Sequence, residues 1–154
     1  MGTIDVRAKP NAVFKFFTRI PSYLIRLGMT RPFEANILVL STRGRKTGTT
    51  LRTPVGFARK DDIIYLAAVY KDPDWFQNAL EDPEVKVQIG KRHLKGYASG
   101  VDDLEEKAEA YRAIVKAQGE KSAEQYYYVK PGMDDNQIGS IGEGLPMMRI
   151  QVVE

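Results

Sequence analysis

Cysteine is absent from this 154-residue chain, and histidine occurs once, at His93. Without thiols there is no disulfide, no thiolate metal site and no Cys-His nucleophile. A structural zinc site needs several His or Cys ligands, so zinc is set aside as well. His93 lies in Lys91-Arg92-His93-Leu94 at the expected start of a strand, which suits a surface position better than a Ser-His-Asp centre. Long apolar runs are also missing. No stretch is long enough to span a bilayer as a helix. The N-terminal segment has neither the apolar core nor the cleavage site of a secretory signal. The expectation is a cytoplasmic protein, with peripheral contact at the inner membrane face as the sharper option. Excess charge is small too: 23 Lys and Arg against 20 Asp and Glu leave a net +3. That bias suits an anionic small molecule and is too weak to argue for nucleic acid.

What is present reads as one globular domain spanning residues 1–154. Hydrophobic residues make up 43% and charged residues 28%, enough to bury a core at this length. Asn11 to Leu27 places Val13, Phe14, Phe17, Ile20 and Leu24 on one broad face and is expected to be a helix kinked at Pro21. It covers the core or, with Lys15, Arg19 and Arg26 beside its aromatics, lies on a membrane surface. Short strands follow at Ile37–Leu40, Thr53–Arg59 and Ile63–Tyr70. The last is the strongest, rich in β-branched and aromatic residues. Asp72-Pro73 is expected to open a helix running to Leu80, with Asp72 as its cap. Glu84–Ile89 and His93–Val101 form a hairpin, and Asp103 caps a helix reaching Gln118. Its carboxylates Glu105, Glu106 and Glu109 are expected to form a solvated face. Glu120 to Gly144 is expected to be irregular, and Met147–Val153 to be a closing strand. Consecutive strands joined by short turns predict an α+β fold. Its core is a small barrel of about six mostly antiparallel strands, with three or four surrounding helices.

The chemistry concentrates in the turn Thr42-Arg43-Gly44-Arg45-Lys46-Thr47-Gly48. Two glycines bracket two cations and a hydroxyl. Glycine permits positive φ and close backbone approach, so the turn can gather its amides around an anion. Arg and Lys add charge-assisted donors for phosphate or carboxylate oxygens. A solvated basic hairpin turn is the plainer alternative.

That turn, followed by Arg52-Thr53-Pro54, resembles the signature of the deazaflavin-dependent nitroreductase and quinone reductase family. Pro73-Asp74-Trp75-Phe76-Gln77-Asn78-Ala79 and Asp82-Pro83-Glu84-Val85-Lys86-Val87-Gln88-Ile89-Gly90 resemble its second block. The likeness extends from about Leu38 to Val115. It implies a split β-barrel binding coenzyme F420, a deazaflavin with a phosphate and an oligoglutamate tail. It also implies hydride transfer to a quinone-like or nitro-aromatic acceptor, with no catalytic side chain. By the same resemblance Arg45, Lys46, Thr47 and Arg52 hold the anionic arm. Pro54, Ala67, Ala68 and Val69 line the deazaflavin, Trp75 builds the pocket wall, and Lys71 stands in for a lysine lost at Tyr70. Tyr126, Tyr127 and Tyr128 are the candidates for the acceptor. Three departures stand out. Leu51 occupies the place of a family arginine, one residue before Arg52. Gly56 replaces a pocket aromatic, and the loop after Ala68 is short. They keep two alternatives open: an FMN-binding oxidoreductase on the same barrel, and a carrier of lipid or another apolar ligand.

Overall fold

The computed structural model describes residues 37–153. The helix expected over Asn11–Leu27 lies outside them. Six strands close into a barrel in the order β1-β2-β3-β6-β5-β4, every neighbouring pair antiparallel. They are β1 (Ile37–Arg43), β2 (Thr50–Lys60), β3 (Ile63–Ala67), β4 (Glu84–Ile89), β5 (Arg92–Gly100) and β6 (Met147–Val153). Four helices are described: α1 (Asp74–Glu81), α2 (Leu104–Gln118), α3 (Glu120–Tyr126) and α4 (Asp135–Glu143).

Alternation along the strands divides the apolar residues into two cores. Leu38, Leu40, Val55, Phe57, Ile64, Leu66, Val85, Val87, Met148 and Ile150 fill the barrel. Trp75 and Ala79 of α1 join this interior. A second core, with Ala58, Ala67 and Met147 from the outer face, packs against Tyr111, Ile114 and Tyr127. Helix α2 starts at Asp103, whose carboxylate accepts from the Glu106 amide at 2.9 Å, and it ends at Gly119, φ 87°.

Four expectations change. β3 stops at Ala67 rather than Tyr70, because Ala68 turns its amide to the Pro146 carbonyl at 2.9 Å and the chain enters a loop. Asp72 is not the cap of α1; it sits at φ 49°, and Pro73 holds the cap position without a side-chain bond. Glu106 is no solvated carboxylate. Half-buried, it accepts from the Tyr65 hydroxyl at 2.8 Å and from Arg149 at 2.6 Å, fastening the start of α2 to β3 and β6. Residues 120–144 are not irregular, since they hold α3 and α4. The latter begins with a reciprocal capping box between Asp134 and Gln137. Glycines hid α4 from the sequence reading. A Cβ on Gly142 would sit 2.3 Å from that of Tyr111, and one on Gly139 3.1 Å from that of Ala108. They let two helices touch closely, where the composition suggested a loop.

Candidate functional site

The β1–β2 turn is built from its own backbone. Gly44 donates to the Thr49 carbonyl at 2.8 Å, and Gly48, at φ 72°, donates to the Gly44 carbonyl at 2.9 Å. The Thr47 and Thr49 hydroxyls share a 2.6 Å hydrogen bond. Both glycine amides are therefore spent inside the turn, and what it offers an anion is side chains.

Those side chains divide their work. Arg45 folds onto α1, donating to Asn78 Oδ1 at 2.8 Å and to the Asp74 carbonyl at 3.2 Å. Its second nitrogen lies 3.6 Å from the Asp74 carboxylate, which is 67% exposed, so the charge pair itself contributes little. Asn78 is buried and donates on to Thr42 Oγ1 at 3.4 Å. Arg45 thus joins the turn to the helix that closes the barrel. Lys46 is exposed and pairs with no described residue.

Register decides which residues share a surface. β1 and β2 pair without interruption from Ile37↔Gly56 to Arg43↔Thr50, so no bulge lies between. Val55 and Phe57 face the barrel interior. Arg52, Pro54 and Gly56 therefore form a column on the outer face. The arginine displaced by one residue from the family position stands on the same side as Pro54. Leu51 is on the other.

At the far end of that column a notch forms around Gly56. A Cβ there would lie 2.2 Å from the Tyr127 hydroxyl and 2.8 Å from the Gln118 amide nitrogen. The aromatic missing at position 56 is replaced in space by Tyr127 arriving from the end of α3. Tyr127 is only 8% exposed, and its hydroxyl bonds to no described residue. Burial alone pushes this phenol far above the ordinary tyrosine range, so it stays protonated. The Tyr111 hydroxyl donates to its carbonyl, and the two rings stand 6.3 Å apart. Tyr128, at φ 63°, donates its hydroxyl to the Val69 carbonyl, drawing the loop after β3 against the segment after α3. Tyr126 is half-buried beside the same core.

Ala67, Val69, Tyr127 and Tyr128 are thus gathered in one core at the outer face, with Pro54 next along β2. Ala68 and Trp75 are not part of this surface. Ala68 is 1% exposed and Trp75 2%, and both belong to the barrel interior. Trp75 meets Phe76 edge-on at 5.6 Å. Lys71 is exposed in the loop before α1. Sequence reasoning missed Gln118. A polar residue on the buried side of a helix end was the available signal, as was a glycine inside a strand, which marks close approach.

Residues 23–129, more than half of the chain, match the family described as F420H(2)-dependent quinone reductase. Among solved structures, the chain is similar to an F420-H2 dependent reductase, FDR-A. Identity is 20%, the TM-score is 0.55, and the match covers 75% of this chain and 93% of that one. It is similar to a conserved hypothetical protein from Mycobacterium tuberculosis at 15% identity and TM-score 0.56, covering 100% and 87%. A putative pyridoxamine 5'-phosphate oxidase from Listeria innocua follows at 14% identity and TM-score 0.52, covering 86% and 93%. These likenesses establish the split-barrel fold.

Proposed function

Given that the chain belongs to the F420H(2)-dependent quinone reductase family, whose members work with reduced coenzyme F420, we propose that it reduces a quinone-like or nitro-aromatic acceptor at the Tyr127 notch. One observation carries this reading: the outer column of β2. Gly56, Pro54 and Arg52 run from a buried phenol to a basic turn. Four residues of strand separate the ends, about 13 Å at the usual rise. One end is apolar with a single hydroxyl, and the other carries Arg52 and Lys46 without acidic partners among the described residues. That donor set fits a ligand with a planar ring at one end and an anionic arm at the other.

Lys46, Thr47 and Arg52 would hold the anionic arm, with Arg45 keeping the turn in place through Asn78. Pro54 and Val69 would flank the ring, with the buried Ala67 packed behind them. When bound, the reduced deazaflavin supplies a hydride. Tyr127 contributes a neutral donor in a water-poor place, suited to an acceptor oxygen as it gains negative charge. Its raised pKa keeps the proton on the phenol, so the proton that completes the reduction comes from solvent. Tyr128 holds the Val69 carbonyl and so fixes the wall beside it.

The test is oxidation of reduced coenzyme F420 by a soluble quinone, followed by fluorescence of the oxidised cofactor, with FMN as a parallel ligand. Wild-type turnover above the uncatalysed rate is expected. Tyr127→Phe should lower kcat/KM about 3–10-fold, the worth of one neutral hydrogen bond, without weakening cofactor binding. No turnover by the wild type, or an unaltered variant, overturns the reading.

A further inference from the structure

Among the described residues, three polar side chains other than aromatics are buried: Thr42, Asn78 and Gln118. Asn78 donates to Thr42 and accepts from Arg45, so the first two belong to the turn and its anchor on α1. Gln118 stands apart. It is the last residue of α2, 6% exposed, and its amide nitrogen lies over the outer face of Gly56. A Cβ on Gly56 would be 2.8 Å from that nitrogen and 2.2 Å from the Tyr127 hydroxyl. Two donors from the ends of two helices thus converge on one spot of β2, and they reach it because residue 56 has no side chain. Gly119, at φ 87°, stops α2 directly after Gln118 and turns the chain into α3, whose end delivers Tyr127. Both donors are neutral. A cation enclosed here would cost far more to desolvate.

We infer that Gln118 is a second catalytic donor at the notch: together with Tyr127 it holds the acceptor oxygen on which negative charge develops. The inference rests on the function proposed above. Reducing a quinone to its hydroquinone consumes one hydride and one proton. The hydride brings both electrons from the reduced cofactor, which is thereby oxidised. One acceptor oxygen then carries the charge until solvent protonates it. Fixed donors aimed at that oxygen favour the charged state over the neutral ground state, so they lower the barrier without tightening acceptor binding. The phenol of Tyr127 offers one hydrogen. The carboxamide of Gln118 offers two, and an oxygen besides, so it can be held by the protein through one group and turn an N–H to the acceptor with another.

The experiment measures kcat and KM for a soluble quinone, with reduced coenzyme F420, in wild type, Gln118→Met, Tyr127→Phe and the double variant. Methionine keeps the length of the side chain and removes the donor; Gln118→Leu serves in its place if Gln118→Met does not fold. Gln118→Met should lower kcat about 3–10-fold, the scale of one neutral hydrogen bond, with the acceptor KM and the cofactor affinity unchanged. The double variant should fall further than either single one, since each donor acts on the oxygen directly. An unchanged kcat in Gln118→Met overturns the inference. So does a loss confined to KM or to cofactor affinity, which would mark a binding or packing role. A double variant no slower than Tyr127→Phe overturns it too, because Gln118 would then act only through the phenol. Absence of turnover by the wild type overturns the function proposed above and this inference with it, whereas each of the variant outcomes leaves that function standing.

Discussion

The outer wall of the barrel has two halves of opposite character. Over β3 and β6 it is apolar and covered: Ala67 and Met147 lie beneath α2 and the tyrosine segment, and Glu106 ties the helix down from Tyr65 and Arg149. Over β5, β4, β1 and the first half of β2 it is cationic, with Arg52, Lys86 and Lys95 exposed and unpaired among the described residues. Strand β2 belongs to both, changing character between Arg52 and Gly56. The difference teaches where a ligand with an apolar head and a charged tail can lie: across the boundary.

Each half of the wall can be perturbed without the other. The largest effect is expected from Trp75→Ala, which empties the barrel interior and should cost about 3–5 kcal/mol in denaturant unfolding. A loss of cofactor binding without that destabilisation would return Trp75 to the pocket wall. Gly56→Ala comes next. Its methyl would meet the Tyr127 hydroxyl and the Gln118 amide, costing about 1–3 kcal/mol and displacing the phenol, so reductase activity should fall while the basic turn still binds phosphate. Lys46→Ala should weaken cofactor binding by about 1.5 kcal/mol or somewhat more at unchanged thermal stability. Arg45→Ala should weaken both, because it also releases α1. If titration and thermal melts move together for both variants, the division of labour in the turn is wrong.

The smallest effect is alkaline. Burial raises the pKa of Tyr127 well above the ordinary tyrosine value of about 10. Its stabilising contribution is therefore complete below pH 10, where the unfolded phenol is still protonated, and is lost as pH rises beyond that. Tyr127→Phe should flatten the fall in unfolding midpoint above about pH 10. An identical fall in both proteins would mean that the phenol is not enclosed.

Much of this was legible in the residues. Short apolar runs, β-branched content and period-two alternation located all six strands, and Asp103 and Gly119 marked the ends of α2, because these signals are local. The turn was found for the same reason. What escaped was decided by distant partners. The use of Arg45 by Asn78, the burial of Ala68 and the arrival of Tyr127 at Gly56 each join segments more than twenty residues apart. No spacing rule within one segment reports them. The shifted arginine was resolved only by register, since Arg52 and Leu51 exchange faces with a single step.

The close seat of α4 on α2 has a genetic consequence. Gly142 lies against Tyr111, whose hydroxyl holds the carbonyl of Tyr127. A methyl at residue 142 would push on the tyrosine that orients the notch, although it lies on a different helix. Loss-of-function alleles should therefore arise at Gly142. Their suppressors should appear as smaller side chains at position 111, paired across two helices that the chain separates by some thirty residues.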